Sequence, residues 1–262
     1  MLLTVLIIIY LILIVLVVVL YWSRKRRNYW RRVLFDVSPC PFGQEIYTVQ
    51  SISGTRLSQG ILSYSLYGNY SKYAPKLYYN LDRISKLMPS WQARVYLAAN
   101  IPQEVQNEIL AHGAEIYVMG PEAPKGHEGA LWRFLPAAED KPFLTLDADD
   151  EFNERIVSDI SAWLKSGKRF GNFNKFKFFL PMTASTWGSR DRAVPDMEQR
   201  INKYCEHWFG FDEAFLHNEI WPIMQKDYWA TFGVPLKGLV ITGIVILVLL
   251  MIYSLYLASS LQ

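Results

Sequence analysis

Cysteine is nearly absent: Cys40 and Cys205 are the only two in 262 residues, too few for a disulfide framework and compatible with a reducing compartment. Charge is missing from both ends. Residues 1 to 22 carry no charged side chain, with Leu, Ile and Val almost unbroken from Leu2 to Leu20, and Gly238 to Ala258 is equally uncharged. A bilayer core takes about 20 apolar residues, so each run is long enough to span it. A cleavable signal peptide would carry its basic residues before a shorter apolar core and a small-residue cleavage site after it; here the basic residues follow the run. A buried core helix is the alternative for the second run, but such a helix normally keeps a polar face. The expected organisation is a transmembrane helix over 1–22, a basic juxtamembrane segment and linker over 23–60, one domain over 61–236, and a second transmembrane helix over 237–258.

An excess of positive charge is also missing once one cluster is set aside. Arg24, Lys25, Arg26, Arg27, Arg31 and Arg32 follow the first run, with Tyr21, Trp22, Tyr29 and Trp30 among them, the pattern of a cytosolic membrane flank with interfacial aromatics. Without those six, 21 basic residues face 24 acidic ones, which argues against a nucleic-acid partner. The expectation is an integral membrane protein with two spans and a cytosolic domain. Asn69-Tyr70-Ser71 fits a glycosylation acceptor pattern, a short motif that arises often by chance. Internal repeats are absent, as is low-complexity sequence outside the apolar ends.

Cys40 to Gly60 is rich in Ser, Gly, Pro and Gln and reads as a linker or an edge strand. From Ile61 onward, strand-like runs alternate with helical stretches: Ile61 to Tyr67, Pro75 to Met88, Arg94 to Ala98, Pro102 to His112, Ala114 to Met119, Gly129 to Ala138 and Pro142 to Leu146. That alternation predicts βαβ units and a mostly parallel sheet, an α/β fold. Further on, helices are expected over Ile156 to Leu164, Ala193 to Cys205 and Asp212 to Trp221, the last stopped by Pro222, with strands at Phe170 to Phe173 and Phe178 to Leu180.

The apolar run 142–146 ends abruptly in Asp147-Ala148-Asp149-Asp150. A buried strand thus delivers carboxylates at its carboxyl end, where open α/β sheets hold their ligands. Two carboxylates one residue apart can hold a hard cation, Mn²⁺ or Mg²⁺, which shares its other positions with phosphate and water. Such an ion offsets charge that builds on a departing diphosphate. Alone, Asp-x-Asp is a weak signal, and a solvated acidic turn is the commoner explanation.

Several short motifs come in order: Tyr64-Ser65-Leu66-Tyr67-Gly68, Pro89-Ser90-Trp91, Gly129 with Trp132-Arg133-Phe134, Asp147 to Asp150, Thr186-Trp187-Gly188 and Asp212-Glu213-Ala214-Phe215-Leu216. Over residues 61 to 223 this series resembles a family of type A glycosyltransferases. The resemblance implies a Rossmann-like nucleotide-binding half, metal-dependent transfer of a sugar from a nucleotide-diphosphate donor, and a glycan, lipid-linked or glycoconjugate acceptor. Carried over by position, Asp147 faces the ribose or the metal and Asp149 is the principal metal ligand. Asp150 stands where the family usually has Ser. Ser65, Tyr67 and Gly68 fall where the nucleotide base is expected, although an ordinary β-turn glycine beside a buried aromatic fits equally well.

Other assignments stay open between chemistry and packing. Arg133 suits a donor phosphate through its planar fork or a surface ion pair. Trp132 reads as core. Trp187 and Gly188 suit stacking on a sugar ring, or packing. Asp212 and Glu213 suit acceptor binding or a general base, or carboxylates favouring a helix N-terminus. His217, one turn beyond Glu213, could complete a metal site. Lys125 to Gly129 reads as a loop near the donor or, equally, as an inert surface loop. Two rivals remain: a non-catalytic membrane protein retaining the fold, and a nucleotidyltransferase, which the missing Gly-rich phosphate loop at the first strand disfavours.

Overall fold

A computed structural model describes residues 48–55, 57–120, 126–173, 182–204 and 210–231. Both apolar runs, the basic cluster, the two cysteines, Lys125 and the expected strand at 178–180 lie outside these residues. Among the described residues no helix is long and apolar enough to cross a membrane.

The described residues build an eight-stranded mixed sheet between two layers of helix. In sequence order the strands are β1 (Thr48–Ser53), β2 (Gly60–Leu66), β3 (Trp91–Ala98), β4 (Glu115–Gly120), β5 (Phe143–Thr145), β6 (Phe170–Asn172), β7 (Trp187–Ser189) and β8 (Tyr228–Ala230). Across the sheet the order is β1-β4-β3-β2-β5-β7-β6-β8. The centre, β4-β3-β2-β5, is parallel throughout, as the βαβ alternation predicts. The flanks mix directions: β1 is antiparallel to β4, β7 is antiparallel to both β5 and β6, and β6 pairs parallel with β8. Of the two readings of the segment before Ile61, edge strand holds for Thr48–Ser53, so the sheet begins earlier than expected.

Alternation along β2 divides the core. Leu62, Tyr64 and Leu66 face a cluster formed with Leu77, Leu81 and Ile84 of α1 (Tyr70–Leu87), Ile109 of α2 (Gln103–Ala111), and Ile160 and Trp163 of α3 (Glu154–Ser166). Ile61 faces the other side, with Leu131, Phe134, Phe143, Trp187, Phe211 and Phe215. Helices therefore cover both faces, which is why the central strands read as nearly continuous apolar runs. α3 shows its signals directly: Asn153 accepts from the Ile156 amide at 3.3 Å, and Gly167 closes the helix at φ 73°.

Three elements depart from the sequence expectation for identifiable reasons. Glu128–Ala138 is helical but wound as a 3₁₀ helix, far longer than usual for that winding. Its Arg133 amide donates to Ser65 Oγ at 3.1 Å, and Pro136 has no amide proton to give. The helix expected over Ala193 to Cys205 is only α4 (Met197–Ile201); the Val194 amide donates to the Ala137 carbonyl, and Pro195 biases Val194 away from helix. Pro222 does not stop the last helix. The chain stays helical through α5 (Phe211–Phe215), a π turn (Leu216–Ile220) and α6 (Trp221–Met224). Pro222 cannot donate to the carbonyl four residues back and would clash with it in an α turn, and the wider π turn relieves both.

Gly188 is fixed by crowding: a Cβ there would overlap the Phe143 carbonyl oxygen of the neighbouring strand. Backbone cannot yield there without breaking the β5–β7 pairing. Gly188→Ala is expected to destabilise the fold by about 2–3 kcal/mol, read as a lowered urea midpoint; a loss within about 0.5 kcal/mol would contradict this packing.

Candidate active site

The carboxyl ends of β2 and β5 adjoin, and the chain leaves both into loops that line a cavity of about 480 Å³. After β2, Gly68 turns the chain at φ 61° into α1, a left-handed conformation that favours glycine. After β5 come Asp147, Ala148 and Asp149. The far wall holds Gly210, Asp212 and Glu213, at the start of α5. Gly129 lets the 3₁₀ helix press on Tyr67, since a Cβ there would stand 2.7 Å from the ring.

Ser65, Tyr67, Gly68, Arg133, Asp147, Asp149, Asp212 and Glu213, eight residues singled out from sequence, all line this one cavity. Asn69, Tyr73, His127 and Ala184 line it too. Trp187 and Gly188 do not, which corrects the expected stacking on a sugar. Trp187 is fully buried, its ring 5.1 Å from Phe143 and 5.5 Å from Phe134, so no face is free for a ligand. His217 sits on the π turn, outside the cavity lining.

Arg133 is the electrostatic centre. It is 94% buried, and its Nη2 lies 2.9 Å from Asp147 Oδ1 and 3.0 Å from Asp212 Oδ2. The guanidinium thus bridges the strand-end loop and the opposing helix; it is neither a surface ion pair nor free for a phosphate through that nitrogen. Burial alone would lower its pKa, but Asp147 and Asp212 outweigh burial and hold it charged. The carboxylates bear the imbalance. Burial, then the charge of Asp212, push Glu213 up to about 8 against the pull of Arg133. Burial raises Asp147 to about 6, partly offset by Arg133. Asp147 keeps 37% of its side chain exposed, so water screens part of that shift. Burial likewise lifts the Tyr67 hydroxyl to about 12.

One residue behind the cavity escaped the sequence reading. Asn80, buried on α1, donates from Nδ2 to the carbonyls of Ala148 (3.2 Å) and Asp150 (2.8 Å) and accepts from the Phe152 amide (2.9 Å). Beside it, Arg83 donates to the Phe152 carbonyl at 2.6 Å. The acidic turn is thus braced by α1, whose apolar residues share one core cluster with Leu146, Ala148 and Phe152. The available signal was a lone amide on the apolar stripe of Leu77, Leu81 and Ile84. Asn80→Ala strands three buried backbone groups and is expected to cost about 2–4 kcal/mol, measured by chemical denaturation. A change under about 1 kcal/mol would mean water replaces the brace.

As a metal centre the donor set is incomplete alone. Among the described residues no group of three or more His, Cys, Asp or Glu is placed to hold an ion, and one oxygen of Asp147 is already on Arg133. Yet the described lining carries four carboxylates against one arginine and no lysine. A diphosphate could enter such a cavity only with cations of its own. Two carboxylates plus phosphate oxygens and water is the usual way Mg²⁺ is bound, so these residues fit a divalent ion that arrives with a phosphate ligand.

No protein-family model and no curated protein matches the sequence. Among solved structures, the mannosyltransferase PcManGT of Pyrobaculum calidifontis, in complex with GDP-Man and Mn²⁺, is similar at 15% identity and a TM-score of 0.46, over 82% of this chain and 62% of that one. S. aureus TarS 1-349 aligns at 13% identity and a TM-score of 0.47, over 66% of this chain and 59% of that one. A cytidylyltransferase from Leptospira borgpetersenii aligns at 15% and 0.45, over 68% and 77%. The chain therefore spans about three fifths of two of these proteins. Likenesses this distant assign no activity.

Proposed function

We propose that this protein is a membrane-anchored glycosyltransferase that moves a sugar from a nucleotide-diphosphate donor to an acceptor near the membrane. The observation that carries this reading is the meeting of Asp147 and Asp149, at the end of a parallel strand, with Asp212 and Glu213 on the opposing helix, across a cavity with one arginine. The anchoring rests on the apolar runs of the sequence.

Asp149, with the free oxygen of Asp147, would hold Mn²⁺ or Mg²⁺ together with the donor diphosphate, and the ion would offset charge on the leaving phosphate. The protein's own groups divide the rest. Arg133 keeps Asp147 and Asp212 in fixed register. The end of β2, from Ser65 to Gly68, gives the nucleoside a wall where backbone can approach closely. In its ionised form Glu213 would take the proton of an attacking hydroxyl; with its pKa raised to about 8, that form is the minor one at neutral pH and grows as the pH approaches 8.

The test is donor hydrolysis by the purified protein over UDP-, GDP- and CMP-sugars, with Mn²⁺ or Mg²⁺ and with chelator. Asp149→Ala is expected to reduce metal-dependent turnover about 10²-fold or more. Absence of turnover and of metal-dependent nucleotide binding over the whole panel would instead favour a non-catalytic membrane protein.

A further inference from the structure

We infer that the cavity mouth faces the bilayer, with the lipid headgroup surface as its partner; this rests on the transferase reading and on the run 238–258 being a membrane span. The inference comes from where the chain leaves the sheet. Thr48, the first residue of β1, stands opposite Gly120, the last of β4. Since β4, β3 and β2 are parallel, Thr48 lies at the carboxyl end of the central strands, where the cavity opens. At the other edge, β7 reverses against β5, β6 reverses against β7, and β8 runs with β6. Two reversals restore the direction of β5, so Thr231, just past β8, is again on the cavity side. Its amide donates to the Asn172 carbonyl at 3.1 Å and fixes it there.

The exits straddle the site. β1 is three strands from β2, and β8 is three strands from β5, which sets each exit about 14 Å to one side of the cavity at the usual spacing of about 4.8 Å. Twist of about 20–25° per step turns the two edges by less than a right angle, in opposite senses, so neither exit is carried to the far end. From Thr231 to Gly238, the start of the apolar run, is seven residues, a reach of at most about 25 Å. On the amino-terminal side, 26 residues separate Trp22 from Thr48 and allow roughly 90 Å, so the short carboxyl-terminal link sets the distance.

The mouth has a matching surface. The first turn of α1 presents exposed Asn69, Ser71 and Lys72 with half-buried Tyr70 and Tyr73. Lys72 Nζ lies 4.7 Å from the Tyr73 ring centre and 3.2 Å from its hydroxyl. Tyrosine beside a long cationic chain suits the headgroup level. Asp149 is exposed at the same mouth. A site held this way takes an acceptor borne on lipid.

The test uses the full chain, with Cys40→Ser and Cys205→Ser, in phosphatidylcholine vesicles carrying a nitroxide on the lipid headgroup. A fluorophore is placed near the mouth (Ser71→Cys or Lys76→Cys) or at the amino-terminal end of the strands (Ser90→Cys or Asp140→Cys), all exposed positions. The seven residues of β2 alone separate these ends by roughly 20 Å. Mouth labels are expected to be quenched several-fold more than the others at both pairs of positions. Equal or reversed quenching overturns the inference. Release of the chain by alkaline carbonate removes the span, and the inference with it. Donor hydrolysis by the same vesicles is read separately: its absence sinks the transferase reading and the lipid-borne acceptor, while the quenching pattern still decides which way the cavity faces.

Discussion

Arg133→Met is expected to lower folding stability by about 3–5 kcal/mol at neutral pH, the range for removing one partner from a buried ionic cluster. Methionine fills much of the same volume, so the loss reports charge more than packing. What it strands are Asp147 and Asp212, 2.9 and 3.0 Å from the guanidinium, with Glu213 beside them. Protonation relieves the stranded carboxylates, so the deficit should shrink on going to pH 5, below the raised values of Asp147 (about 6) and Glu213 (about 8). Arg133→Lys keeps the charge without the fork and should recover part of the loss. Urea denaturation at pH 5 and pH 8 gives both numbers. A deficit below about 1 kcal/mol, or one independent of pH, would remove Arg133 from the centre of the site.

The second large effect concerns Glu213 and runs against the habit of carboxylates, which usually stabilise a fold by ionising. Its pKa is raised on folding, from 4.5 to about 8, so the folded chain keeps a proton that the unfolded chain releases. Stability then falls as pH rises. The contribution is fully present below pH 4.5, erodes through the interval, and is gone above about 8. Glu213→Gln cannot ionise. With chelator present, it is expected to match the parent near pH 5 and exceed it by on the order of 2–4 kcal/mol at pH 9. Asp147 contributes a smaller slope of the same sign between about 4 and 6, which remains in the variant. A parent whose stability rises from pH 5 to pH 9 would contradict this arrangement of charge.

The legibility of the molecule in its sequence follows from what kind of signal each part leaves. β2, β3, β4 and β5 are covered by helices on both faces, so they read as apolar runs. The acidic turn was legible because Asp147 to Asp150 interrupts such a run abruptly. That Arg133, Asp147 and Asp212 touch was not, since they come from three separate elements and only the fold brings them within 3 Å. Trp187 was ambiguous for the opposite reason: an aromatic beside glycine on a short strand has the same pattern whether the ring meets a ligand or, as here, Phe134 and Phe143. The 3₁₀ winding of Glu128–Ala138 also lay beyond periodicity, because one of the groups that holds it is a distant hydroxyl, Ser65 Oγ.

The π turn at Leu216–Ile220 has a bearing on the site that its distance from the cavity conceals. A π turn holds one residue more than an α turn, so it offsets the azimuth of everything on one side of it by one residue's rotation, about 100°. Downstream, Met224 is locked into the core; upstream, Asp212 and Glu213 look across the cavity to Arg133. Both facings are compatible only with the extra residue in place. The wall of the cavity is in this sense phased by Pro222, which forces the turn to widen and so aims two carboxylates more than two turns away.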